Sequence, residues 1–307
     1  MTREGTQATG VRQLVETLSH AQHFSLPNQG TLLDDGLLSL VDRDMHLPFP
    51  SVAISYPDIG ARTRDTHGGM LVYPKRHLIV ATESTFGAVE KTMPGPLPPT
   101  LDPAARCITV CGINGMDNGM WMPDPYGFAI ACTGGVMARS EPRTSGTGVG
   151  DPLGRPTMAS GVRYNGASFP SCPGLLAHAA TTTPGVLLDA ARVDAAVETG
   201  IVLGLIEALS CSNVHVATTH PDPKVNAKRL RKGKHPLLAT SVLMLDVPTT
   251  HHDGAPGTGH HASPRQHLRR GHIRHLTDGR RIWINACVVG AARDGMQAKD
   301  YALRVSA

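Results

Sequence analysis

The sequence predicts an α+β fold: an antiparallel or mixed β-sheet with few helices, and a C-terminal helix packed on a small antiparallel sheet. Three observations carry this. Between Leu47 and Gly135, short apolar runs rich in Val, Ile and Tyr are bounded by Pro, Gly, Asn and Asp, a texture of strands. After Pro184 one long stretch places apolar residues at helical spacing, and beyond Asn213 strand character returns and closes on a hairpin signal. No segment repeats at a fixed period, so a solenoid or propeller is not expected.

In chain order, Val11, Leu14, Val15 and Leu18 recur at helical spacing and predict a short amphipathic helix from Gly10 to about His20, with a second over Thr31 to Leu40. The runs LPFPSVAISYP, GGMLVYPKRHLIVATES, RCITVCGIN and YGFAIACTGG follow as strands. Two stretches read as long loops: Lys91 to Arg106 carries five prolines, and Thr133 to Gly174 is dense in Gly, Pro, Ser and Thr. Pro184 at a helix start, then Val186, Leu187, Ala190, Val193, Val197, Ile201, Leu205 and Ala208, marks the longest helix, ending near Ser210. VHVATTH is a strand, KVNAKRLRKGKH a basic connector, PLLATSVLMLDV a strand, and Pro248 to Ser263 a loop rich in His, Gly and Thr. GHIRHL and RRIWINACVVG flank Thr277-Asp278-Gly279, and Asp-Gly between apolar runs signals a hairpin. The contrast between the halves predicts two units, a β-rich region at 1–174 and a basic α+β domain at 175–307.

The chain has 307 residues, 40% of them hydrophobic, well clear of disordered composition. It carries no apolar run long enough to span a bilayer, and its start lacks a basic stretch followed by an apolar core, so a cytoplasmic chain without a membrane segment is expected. The six cysteines are scattered, which suits reduced, buried thiols. Charge is the most informative feature. Between Lys224 and Arg281 twelve Lys or Arg face only Asp246, Asp253 and Asp278, a local net of +9 in a chain of net +4. Ten of the sixteen histidines fall between His215 and His275. A local excess of this kind is the footprint of a polyanion-binding surface; its ordinary alternative is a solvated face.

The predicted interface uses two segments. Lys228, Arg229, Arg231, Lys232 and Lys234 line the connector, and Arg265, His267, Arg269, Arg270, His272, Arg274, Arg281 and Trp283 line the hairpin and its approach. A two-residue Asp278-Gly279 loop would set Arg274 opposite Trp283, the charge tracking phosphates and the ring stacking on a base, unless the arginine merely covers the ring. The partner is RNA or DNA, with an acidic host protein as the alternative. Cleavage of RNA or DNA without metal is a further possibility: Arg265, six intervening residues and His272 fit a loose ribonuclease spacing, and His267 is a further acid or base.

A metal site finds little support. His267, His272 and His275 are close in sequence and His260 and His261 lie nearby, but His272 and His275 point to opposite faces of a strand amid many cations. Cys107 and Cys111, four residues apart along a strand, are separated by about 13 Å, too far to share an ion. No cofactor is implied, since the chain shows no P-loop, Rossmann fingerprint, GxSxG elbow or HExxH.

The segment from His260 to Arg274, with its SPRxHxRRGHxR pattern, resembles a family of uncharacterised proteins encoded by tailed phages and prophages. Leu209 to Val214, Lys228 to Leu237 and Arg281 to Ile284 extend the resemblance, which covers about residues 186–304 together with Leu47 to Pro57. It implies a phage or prophage accessory protein, in a host cytoplasm, and no particular reaction. The Pro- and Gly-rich middle, Lys91 to Gly174, departs from the family pattern.

Overall fold

A computed structural model of the chain describes residues 3–26, 30, 32, 40–41, 43–57, 76–93, 95–115, 120–138, 162–172, 176, 185–246, 265–269, 272–284, 287–289 and 291–296. The first helix, α1 (Arg3–His20), starts earlier than its apolar spacing predicts and leads into β1 (Gln22–Ser25). The helix expected at 31–40 falls almost wholly outside the described residues. The four strand-like runs become β2 (Ser51–Pro57), β3 (Arg76–Thr85), β4 (Arg106–Gly115) and β5 (Trp121–Ala131), with the short helix α2 (Phe86–Glu90) after β3.

The stretch from Thr133 to Gly174 departs from expectation, because it holds three strands: β6 (Val136–Ala138), β7 (Val162–Tyr164) and β8 (Gly166–Pro170). Its small residues suggest a loop, yet Ala167 and Phe169 alternate inward from β8 and supply the apolar face a strand needs. Then come α3 (Gly185–Leu209), β9 (Val214–Thr219), α4 (Pro223–Arg231) and β10 (Thr240–Leu245), and after them β11 (Arg265–Arg269), β12 (His272–His275), β13 (Arg281–Ile284), β14 (Cys287–Val289) and β15 (Ala291–Met296).

One eight-stranded mixed sheet organises the molecule, in the order β8-β5-β4-β3-β2-β1-β10-β9. β1 runs parallel to both β2 and β10, and the other neighbours are antiparallel. The boundary expected near Gly174 therefore falls between strands that share a sheet. Small sheets are also present, β12–β13 and β14-β11-β15, and α3 meets β13 at the Arg281–Glu207 pair but packs mainly elsewhere. Its principal partners are β5 and β4. Ala195, Val202, Leu203 and Leu205 of α3 join Val110, Phe128 and Ile130 in the main core, because the wide face of the large sheet accepts a helix whose stripe runs for 25 residues. On the opposite face Phe86, Val89, Leu97 and Leu101 cover Cys107, Ala129, Ala131 and Phe169 in a second core.

Under α3 the sheet carries a polar seam. A Cβ at residue 112 would collide with the carboxylates of both Glu198 and Asp124, so only glycine lets these two groups approach the strand. His77 lies with Nδ1 3.8 Å from Glu198 Oε1, Tyr56 stacks on its ring at 5.2 Å, and Asn114 donates to Asp124.

Candidate functional site

The basic connector is a helix. Asp222 caps it, accepting from the Lys224 N–H at 2.8 Å, and Pro223 fills the first turn, where a missing N–H costs nothing. One flank is tied to the returning chain: Asn226 Nδ2 donates to the Leu237 carbonyl (2.9 Å), Leu237 N–H donates to Asn226 Oδ1 (2.7 Å) and Arg229 Nε donates to the His235 carbonyl (2.8 Å). The positions i, i+4 and i+7 of the other flank are Lys224, Lys228 and Arg231, all exposed, and Lys232 and Lys234 follow. No residue of α4 is buried. Among the described residues, none of these cations forms an ion pair.

The hairpin differs from its predicted form. Leu276 N–H donates to the Arg280 carbonyl and Gly279 N–H to the Leu276 carbonyl, leaving a three-residue loop, Thr277-Asp278-Gly279, with Gly279 at φ 82°. This is a turn followed by a left-handed glycine bulge. The extra loop residue slips the register by one, pairing Arg274 with Ile282 and Ile273 with Trp283. A one-residue slip sends every side chain to the other face. Arg274 and Trp283 therefore do not share a face, and the expected stack between them is replaced by Arg274 beside Ile282.

Arg281 instead faces the helix, and Trp283, two residues on, shares its face of β13. Trp283 is half-buried, and its backbone N–H and carbonyl are both held by the Asn213 amide, at 2.8 and 2.9 Å. The Arg281 guanidinium, 15% exposed, lies 2.8 Å from the fully buried Glu207 of α3, which Arg43 approaches from another side at 3.1 Å. A buried carboxylate needs such partners to stay charged. Arg281 is thus committed to the core and does not face solvent, whereas Arg274 is exposed. His272 is half-buried.

Arg265, His267 and Arg269 lie on β11, paired with β14 and β15; their side chains, and Arg270 altogether, lie outside the described residues, as do His260, His261 and the loop from Pro248 to Ser263. The hairpin attaches where Ser212 N–H donates to the Arg281 carbonyl, at the start of β9. α4 leaves from the end of β9, so the two basic elements are separated by the length of a six-residue strand, roughly 20 Å.

A second constellation, which sequence reasoning missed, stands at the sheet end from which α4 projects. The N-terminus of β10 and the C-terminus of β9 mark that end, as do the N-terminus of β2, the C-terminus of β3 and the N-terminus of β4. There His46 Nε2 lies 3.0 Å from Asp44 Oδ2, and Nδ1 lies 3.0 Å from both Arg106 terminal nitrogens. Arg106 Nη2 also lies 3.3 Å from Nε2, so the guanidinium sits against both ring nitrogens; because a guanidinium only donates, the tautomer that carries its proton on Nε2 satisfies both Asp44 and Arg106. Glu83 accepts from the Leu47 N–H at 2.8 Å and faces Arg106 at 3.5 Å and His46 at 3.7 Å. Hydrogen bonds from Thr133 and His46 hold the Asp44 carboxyl below its ordinary range. A cavity of about 530 Å³ opens beside the group, lined by His46, Leu47, Pro48, Phe49, Pro50 and Glu83.

The five cysteines whose side chains the structure describes are free. Burial pushes the Cys132 thiol, near Arg106, up to about 11 and that of Cys107 up to about 12, which leaves both protonated and poor nucleophiles. Among the described residues no group of three or more His, Cys, Asp or Glu side chains is placed to hold a metal ion, and no helix is long and apolar enough to cross a membrane. The fold and site define an α+β chain with a basic helical arm at one end of a mixed sheet and a histidine–arginine couple at the same end. No family model matches the chain, and neither a curated protein nor a solved structure does.

Proposed function

We propose that this chain is a phage or prophage accessory protein that binds nucleic acid through α4. The observation that carries the proposal is the pinning of the Asn226–Arg229 flank, which turns Lys224, Lys228 and Arg231 together toward solvent. A row of cations on a preorganised helix neutralises successive phosphates without ordering flexible chain first. Lys232, Lys234 and the exposed Arg274 extend the positive field, and the motif at residues 263–274 supports the phage or prophage setting. An acidic host protein is the second candidate partner, favoured by the exposed apolar side chains Val225, Leu230, Leu237 and Leu238 around the same cations.

The test is a gel-shift titration with RNA and DNA of one sequence at 50 and 200 mM salt. If four phosphates are neutralised, affinity for duplex should fall by roughly a hundredfold across that range. A failure to shift either polymer at the lower salt would overturn nucleic-acid binding and leave the acidic protein as the partner.

A further inference from the structure

We infer that the His46–Arg106 couple is a catalytic site that cleaves RNA by transesterification, an inference that rests on the nucleic-acid reading of α4. Two unconnected facts point to it. His46 and Glu83 line a wide-open surface depression of about 530 Å³, with Arg106 just outside it, and the couple lies at the same end of the sheet as the basic arm. Three strand spacings separate β10 from β3 and five separate β9 from β4, roughly 14 to 24 Å, so a strand held on α4 reaches the depression within a few nucleotides.

The chemistry follows from the geometry. His46 is half-exposed, with Nε2 3.0 Å from Asp44 and the Arg106 guanidinium against Nδ1 at 3.0 Å and, more loosely, Nε2 at 3.3 Å. A phosphodiester oxygen is a better acceptor for guanidinium than an imidazole nitrogen, so a docking phosphate draws Arg106 off Nδ1, against the pull of its carboxylate neighbours Glu83 at 3.5 Å and Asp44 at 3.9 Å, and frees that nitrogen. The base then needs a nucleophile to deprotonate, and in RNA the 2′-hydroxyl adjacent to the phosphate supplies one. His46 Nδ1 takes the 2′-OH proton, the 2′-oxygen bonds to phosphorus, and the P–O5′ bond breaks. The O5′ leaving group receives the same proton back from His46. The products are a 2′,3′-cyclic phosphate and a free 5′-hydroxyl, with no other reactant consumed.

The flanking groups suit this cycle. Arg106 neutralises the charge that builds on the phosphorane oxygens. Asp44 at 3.0 Å and Glu83 at 3.7 Å stabilise the imidazolium that exists between the two proton transfers, as positioning residues that act through His46. The charged groups facing the ring are Asp44 from its own segment, Glu83 from β3 and Arg106 from β4.

The experiment incubates the full chain, with a chelator present, with an RNA oligonucleotide and the DNA of the same sequence. RNA should be cut to products with 2′,3′-cyclic phosphate ends and the DNA left intact. His46→Gln should lower the rate by about a hundredfold or more, and Arg106→Lys by about a hundredfold, with thermal melting unchanged because both side chains are substantially exposed. Asp44→Asn should shift the acid limb of the rate–pH profile to lower pH, which a purely structural role would not do. A triple Ala variant at Lys224, Lys228 and Arg231 should weaken binding and raise the protein concentration needed for half-maximal cleavage. RNA bound but uncut, cleavage of DNA, or undiminished cleavage by a folded His46→Gln variant would overturn the site and leave α4 binding standing. Cleavage that the triple variant retains without any loss of affinity would uphold the site and overturn the role of α4.

Discussion

Arg281 shows how one residue type serves two ends. In the sequence it is one more cation in a basic run, but Glu207 is fully buried on α3 and takes the Arg281 guanidinium as its closest partner. Arg281→Ala would strip a buried carboxylate of that partner and should cost about 3 kcal/mol, toward the lower end because Arg43 remains. Denaturant unfolding measures this; the same variant should bind nucleic acid with an unchanged salt slope. An intact stability with a reduced slope would return Arg281 to the interface. The sequence carried no sign of the pairing, since Glu207 lies 74 positions away. His46 and Arg106 are likewise 60 positions apart, and only the pairing of β2, β3 and β4 brings them to one sheet end.

At the scale of elements, the strands and the long helix were legible because their apolar patterns obey a fixed period, and the hairpin was legible from Asp278-Gly279. Its register was not. One glycine in the left-handed region decides between a two- and a three-residue loop, and with it which face Trp283 takes. The connector's helix has a start signal in Asp222-Pro223, but the run of cations that follows masks any apolar period. β1 carries a pH-sensitive group. It stitches the two parallel pairs of the sheet, and burial lowers the pKa of His23 within it from the usual 6.5. The unfolded chain therefore takes up the proton first, so the stability that the neutral ring permits is present above about pH 6.5 and is lost as pH falls through that value toward the folded pKa. Thermal melts between pH 7.5 and 5 should show a smaller decline for His23→Gln than for the native chain; equal declines would place the acid sensitivity elsewhere.

For the whole molecule, the sequence divides where the sheet does not. The compositional break near Gly174 is real, yet α3 packs on β4 and β5, and β10 pairs with β1. A fragment of residues 175–307 leaves the α3 stripe and one edge of β10 without partners, so it should show no cooperative thermal transition by circular dichroism; a sharp transition would establish two independent units. Function is proposed to reside at one end of this shared sheet, where α4 presents its cations several strands away from His46. The most direct test of that claim is the dependence of duplex affinity on salt, compared between the native chain and the Lys224→Ala, Lys228→Ala, Arg231→Ala triple variant. We predict that the slope of log affinity against log salt becomes shallower by about 2 to 3 units, because each of the three cations neutralises one phosphate. A folded triple variant with the native slope would contradict binding through α4.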